Sequence, residues 1–356
     1  MKILFTARHT LFSQPGGDTQ QVLHSADALR ALGVEVDILL RGEKPNYTNY
    51  DVVHFFNLGR PADIIDDLEK ITQPLVVSSI WVDYREFDKY RGGIGQQIQH
   101  IFGNNRFEYL KAFARAYKGN DIFPGLRYGL LGHEKSVKKI AQKAAVIIAS
   151  SQSEKNRISK ATTHSKKTHV LPLGLPAHLL ASFKEESERS GVICVGRIEG
   201  LKNQLNLIKA ANGANWELKI IGKAAANQPK YEQDCVKHAG ENVRFEGWLD
   251  SENLIAAYRS AKVLVLPSFF ETFGLVALEA MSQGCNVVIA DRPDMNSIFR
   301  ENVLPCNPHN PNDIRQKIEE ALILPVYKLS REQRETHNWP AIAKQILAIY
   351  SKQVKK

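Results

Sequence analysis

The stretch AKVLVLPSFFETFGLVALEAMSQGCNVVIA, residues 261–290, decides the fold. It opens on an apolar run, KVLVL, halted by Pro267 and Ser268. A run this short between turn residues reads as a strand buried on both faces. FFETFG (269–274) is then a loop at the carboxyl end of that strand, LVALEAMSQG (275–284) a helix closed by Gly284, and CNVVIA (285–290) the next strand. Strand, loop, helix and strand make one βαβ unit of a parallel sheet.

The same rhythm runs outward in both directions. SGVICVGRI (190–198), WELKIIGK (216–223) and NVRFEGW (242–248) read as strands before it. Earlier still, KILFTA (2–7), VEVDILL (34–40), DVVHFF (51–56), LVVSSI (75–80), AAVIIASS (144–151) and THVLPLGLP (168–176) do the same, with TQQVLHSADALRALG (19–33) and PADIIDDLEK (61–70) as helices. Residues 94–145 interrupt with longer helical stretches rich in Lys, Arg and aromatics. The expectation is an α/β protein of two doubly wound, Rossmann-like domains, with ligands in a cleft at the carboxyl ends of the strands. The domains are expected at 1–175 and 176–339, with the polar stretch SFKEESERS (182–190) as a linker and an amphipathic tail helix, 340–356, packing back on the first domain.

The 356 residues are 43% hydrophobic and 24% charged, which fits two ordinary globular domains. No run of about 18 apolar residues predicts a membrane span. MKILFTARHT reads as a first strand and not as a signal peptide. Cys194, Cys235, Cys285 and Cys306 lack C-x-x-C spacing, so reduced thiols in a cytoplasm are expected, with neither a disulfide frame nor a zinc site. The net charge of +9 is uneven: Tyr84–His169 holds 17 Lys/Arg against 6 Asp/Glu. That reads either as a solvated helical surface or as a face for an anionic partner.

The chemistry concentrates on three loops. Gly274 permits a tight turn at a helix start, where the amides of Phe273, Gly274 and Leu275 suit a phosphate. Glu279, one turn on, suits two ribose hydroxyls, and Glu271 in the loop suits a second sugar, which together imply a sugar nucleotide. In VGRIEGLKNQ (195–204), Arg197 offers a planar fork and Lys202 a point charge for a leaving β-phosphate. Gly16 and Gly17, in SQPGGDTQQV (13–22), allow close backbone approach to a phosphate or sugar, although Pro-Gly-Gly is also a generic turn.

These pieces, in this order, resemble the GT-B glycosyltransferases, specifically family 4 of the retaining enzymes (glycosyltransferases group 1). Glu271 and Glu279 match the family's E-x7-E signature, Arg197 and Lys202 its phosphate pair, and Gly16-Gly17 its glycine loop. The resemblance implies transfer of a hexosyl group from a UDP- or GDP-sugar with retention, no further cofactor, and no metal, there being no D-x-D in the chain. Arg197, Lys202 and Glu271 are then the catalytic set. Glu279 would hold the ribose, the amides of 273–275 the diphosphate, and the residues around Trp248 the base.

Two positions depart from the family pattern. Ile80 stands where a His is common, leaving Asp83 as the nearest polar acceptor-side candidate, and Leu173 replaces a common Asn. His54, in the third strand, is a second acceptor-side candidate or a packed core residue. The basic, aromatic stretch 106–144, with Leu110, Phe113, Ala114 and Tyr117 at helical spacing, reads as an anionic membrane face or as a core-packed helix. The expected acceptor is a lipid-linked saccharide of bacterial surface polysaccharide (O-antigen, capsule or lipopolysaccharide) assembly, at the cytoplasmic face of the plasma membrane. Nucleic acid is not an expected partner. A nucleotide-sugar 2-epimerase and a non-catalytic nucleotide-sugar or nucleic-acid binding protein are the alternatives. A dinucleotide dehydrogenase is not, because no G-x-G-x-x-G follows a strand.

Overall fold

A computed structural model of the chain describes residues 1–82, 94–119, 121–162, 167–181, 188–225 and 228–354. Asp83 and most of the 182–190 linker stretch lie outside the described residues. The chain divides into two units, Met1–Pro176 with Glu335–Lys356, and Ala177–Arg334.

The first unit is built on six parallel strands: β1 (Lys2–Ala7), β2 (Glu35–Leu40), β3 (Val52–Phe56), β4 (Leu75–Ser78), β5 (Val146–Ala149) and β6 (Thr168–Val170). Their order in the sheet is β2-β1-β3-β4-β5-β6. Every residue of β3, β4 and β5 is buried, which is why these strands read as continuous apolar runs. One core gathers Leu4, Val53, Phe55, Val77 and Ile147 with Tyr128 and Ile140 of the helix Leu126–Lys143. The helices Gly17–Arg30 and Trp339–Val354 pack against each other. A Cβ at Gly174 would lie 2.9 Å from the Trp339 ring, so a glycine is needed there for the tail to dock.

One expectation fails in this unit, and one pair of alternatives is decided. Residues 61–70 form no regular helix. A 3-10 turn at Pro61–Asp63 runs into further tight turns, with Asp67 N–H on Ile64 O and Lys70 N–H on Asp67 O. The carboxylates explain it: Asp63 binds Arg60 and Arg41, and Asp66 accepts the Arg127 amide at 2.9 Å. Long-range partners outweigh local helical preference here. His54, an acceptor-side candidate or a packed core residue by sequence, is the packed residue. It is 1% exposed at the centre of β3, bonded to Tyr350 Oη at 2.5 Å through Nδ1 and to Ser78 Oγ at 2.9 Å through Nε2. Burial lowers its pKa to about 3, so it is a neutral core residue and not an acceptor-side group.

The second unit repeats the plan with β7 (Val192–Val195), β8 (Leu218–Ile221), β9 (Val243–Gly247), β10 (Val263–Leu266), β11 (Asn286–Ala290) and β12 (Leu304–Cys306). Their order is β12-β11-β10-β7-β8-β9. From β7 the chain builds one half of the sheet, then crosses to build the other from β10. The loops leaving β7 and β10 therefore diverge from neighbouring strands, and the space between them is the topological switch point where such sheets bind ligands. β12 has no counterpart among the predicted strands. All four cysteines are buried and free, and burial pushes their thiols up to about 12.

Candidate active site

The loop after β7 begins at Gly196, with φ +148°, beside Gly222 after β8, with φ +140°. An added Cβ on Gly222 would fall 2.0 Å from the Gly196 carbonyl oxygen, so only glycine permits this approach. The loop then turns through a 3-10 segment, Gly200–Lys202, into Asn203, which is left-handed (φ 60°, ψ 31°). Asn is one of the few residues besides glycine that visit that region. Its Nδ2 donates to Pro267 O at 2.9 Å and to Pro308 O at 2.7 Å. The amide of Phe269 donates to Leu201 O at 2.9 Å. Two unrelated loops, one from β7 and one from β10, are thus clamped together.

The clamp fixes the charged pair at its mouth. Lys202 Nζ donates to Glu271 Oε1 at 2.6 Å, with side chains 21% and 12% exposed. Ser268 Oγ donates to the same oxygen at 2.7 Å. Lys202 also passes over Gly196, whose Cβ would sit 3.7 Å from its Cε. Each ammonium has three donors, so one bond to Glu271 leaves others for a ligand. Arg197 is more open: its side chain is 62% exposed and Nη2 reaches Glu199 Oε1 at 3.1 Å.

Beyond Glu271 the chain turns at Gly274 (φ 74°, ψ 43°) into the helix Leu275–Ser282. A Cβ there would crowd Met295 Sδ and Phe299, both at 3.2 Å. The amides of Leu275 and Val276, at the first turn, have no carbonyl one turn back to bond. Phe273 is buried, at 1% exposure. Glu279 is partly buried, and its Oε2 accepts the hydroxyl of the buried Tyr258 at 2.9 Å. Burial raises the Glu279 carboxyl to about 7, against the opposing pull of the Tyr258 bond. Trp248, just past β9, is 65% exposed, with Lys223 Nζ 5.7 Å from its ring centre.

In the first unit, the loop after β1 is organised by Arg8, which binds Asp18 at 2.5 Å and the Gln14 carbonyl at 2.7 Å. Gly16, extended, caps the helix Gly17–Arg30 and gives its amide to Thr19 Oγ1 at 3.0 Å. A Cβ on Gly17 would meet nothing within 4 Å, so Gly17 faces open space.

Residues 180–338 match the family described as glycosyl transferases group 1. Among curated relatives, sulfoquinovosyl transferase SQD2 of Arabidopsis thaliana is 33% identical over 172 residues, 45% of this chain and 33% of that protein. The matched part spans less than half the length of the curated relatives first found. Among solved structures, sucrose-phosphate synthase from Thermosynechococcus elongatus has a TM-score of 0.75 at 18% identity, covering 99% of this chain and 98% of that one. Anabaena HepE in complex with UDP-glucose has a TM-score of 0.65 at 15% identity, covering 100% and 98%. The chain therefore shares the fold of these structures, GT-B, with two Rossmann-like doubly wound units.

Of the residues singled out in the sequence, Lys202 and Glu271 are brought into contact, while Arg197 pairs with Glu199. Ser268, Asn203 and Tyr258, which hold Glu271, the loops and Glu279, were not singled out. Ser268 opens the loop that carries Glu271, and its place at a strand end was the one available signal.

Proposed function

We propose that this chain is a retaining, metal-independent glycosyltransferase that moves a hexosyl group from a UDP- or GDP-sugar to a saccharide acceptor. The observation that carries this reading is the Lys202–Glu271 pair at the switch point of the second sheet. A carboxylate there accepts hydroxyls of the donor sugar. The neighbouring ammonium meets the charge that grows on the β-phosphate as the glycosidic bond breaks, and a cation placed in advance stabilises that charge most in the transition state. Arg197, on its open side chain, adds a second cation. The amides of Phe273, Gly274 and Leu275, where the chain turns into the helix Leu275–Ser282, take the diphosphate, Glu279 the ribose hydroxyls and the Trp248 region the base. With no carboxylate assigned as a nucleophile, the acceptor attacks from the face the phosphate leaves, and the leaving oxygen takes the acceptor proton.

The HepE complex with UDP-glucose supports a nucleotide-sugar donor. Gly16 and Gly17 are the donor-side loop of the first unit in this reading. The acceptor is a lipid-linked saccharide of surface polysaccharide assembly, met by a peripheral protein at the cytoplasmic membrane face. Release of nucleoside diphosphate from a panel of UDP- and GDP-sugars, with chelator present and saccharide acceptors added, tests it. Acceptor-dependent release with an α-linked product from an α-linked donor is expected. Inversion, or interconversion of the donor to its 2-epimer without acceptor, would refute it.

A further inference from the structure

Five of the thirteen large apolar side chains exposed among the described residues fall within 21 positions of the first unit: Leu110, Tyr117, Phe123, Leu126 and Leu130. Scattered exposed leucines need no explanation, but a cluster does. Leu110 and Tyr117 are seven residues apart near the end of the helix Ile94–Tyr117, so they share a face, with the exposed Ala114 between them. Phe113, expected on that stripe, is turned inward against Tyr128 instead.

The segment that follows is fixed in place. Tyr128, 1% exposed, stacks on Tyr109 at 5.5 Å and sets its hydroxyl 3.2 Å from His133 Nδ1. Gly132, with φ 73°, then breaks the helical path, so the turn bearing residues 126–131 has its own direction. At 100° per residue, Leu126 and Leu130 lie on the side opposite Tyr128, and they are 80% and 79% exposed. Phe123, 60% exposed, sits just ahead of them. A side chain buried on one face thus holds two leucines out on the other.

The sequence that carries them is basic. Residues 105–143 contain nine Lys/Arg and three Asp/Glu. Of these, Arg106, Lys118, Lys135, Lys138 and Lys139 are exposed. Exposed apolar groups beside exposed cations complement an anionic bilayer, where the apolar tips enter the headgroup boundary and the cations meet lipid phosphates.

We propose that Tyr117, Phe123, Leu126 and Leu130 insert into the surface of an anionic lipid bilayer, with the cations of 106–139 as electrostatic support. This rests on the reading of the chain as a peripheral enzyme acting on a lipid-linked acceptor, and names the residues that make the contact.

The test is co-sedimentation of the full chain with vesicles of phosphatidylcholine alone and of phosphatidylcholine mixed with phosphatidylglycerol. Wild type should bind the anionic vesicles and not the neutral ones. The double variant Leu126→Ser/Leu130→Ser should lose about tenfold or more in partitioning, because each leucine brings apolar area out of water. Lys118→Glu/Lys135→Glu should also bind less, and added salt should weaken wild type. Equal binding by wild type and the leucine variant overturns the proposal, as does absence of binding to anionic vesicles. A wild-type dimer that Leu126→Ser/Leu130→Ser dissociates, without vesicle binding, would assign the face to a second copy and overturn it too. A thermal shift with UDP or GDP, measured on the same samples, keeps the outcomes apart: a retained shift without vesicle binding sinks the membrane face and leaves the transferase reading standing.

Discussion

Lys202 and Glu271, 69 residues apart, meet at 2.6 Å because β7 and β10 are neighbours in the sheet. Neither residue is held by its own loop alone. Asn203 and Phe269 tie the two loops together on either side of the pair.

Replacing Lys202 by Ala removes the donor to Glu271 and the cation proposed for the leaving phosphate. Turnover should fall by about 2–4 kcal/mol in barrier height, a loss of roughly 30- to 1,000-fold. Steady-state kinetics on the preferred donor checks this, and near-wild-type turnover would remove the lysine from the mechanism.

Asn203→Ala keeps every proposed ligand-binding side chain but loses two bonds to buried carbonyls and strains a left-handed residue. A stability loss of about 2–4 kcal/mol in denaturant unfolding is expected. Asn203→Gly, which relieves only the backbone, should recover part of the stability and little of the turnover. Full recovery of turnover would show that the clamp does not position Lys202.

Glu279 sits near half-ionised at neutral pH, since burial raises it to about 7. Ribose hydroxyls donate best to the ionised form, so nucleotide affinity should rise with pH through 7 and level off above it. Below that pKa the loss approaches about tenfold per pH unit. Glu279→Gln should flatten the profile. Tyr258→Phe, which removes a bond favouring the charged form, should move the profile to higher pH. Titration calorimetry across pH 6–8 reads all three.

His54 predicts acid sensitivity of the first unit. Its folded pKa of about 3 lies below its ordinary 6.5, so the unfolded chain binds the extra proton between those values. Stability is complete above pH 6.5 and declines as pH falls toward 3, by up to about 1.4 kcal/mol per unit from this group. Urea unfolding of wild type and His54→Gln across that range measures it, with a shallower decline expected in the variant.

How much of this was legible in sequence depends on what each residue answers to. Strands buried on both faces, such as β3 and β10, announce themselves as apolar runs because every position faces the core. β12 does not, being three residues long with Pro305 at its middle. Residues 61–70 carry helical spacing in Ile64, Ile65 and Leu68, which are indeed buried, but Asp63 and Asp66 bond to groups far away in sequence and bend the chain into turns. Glu271 and Lys202 could each be singled out, yet their contact follows from strand order, which no local pattern contains. Tyr258 reads as an ordinary aromatic on the helix Ser251–Ser260 until the fold brings it to Glu279.

The central claim, a nucleotide-sugar donor held by the second unit, is tested most directly by thermal unfolding. The full chain would be melted without metal against UDP, GDP, ADP and CMP, with Glu279→Ala alongside. A ligand confined to the folded state, at about 100 times its Kd, adds about 2.7 kcal/mol. One nucleoside diphosphate should raise the wild-type midpoint and leave Glu279→Ala unmoved. No shift with any nucleotide, or an equal shift in the variant, would contradict the account.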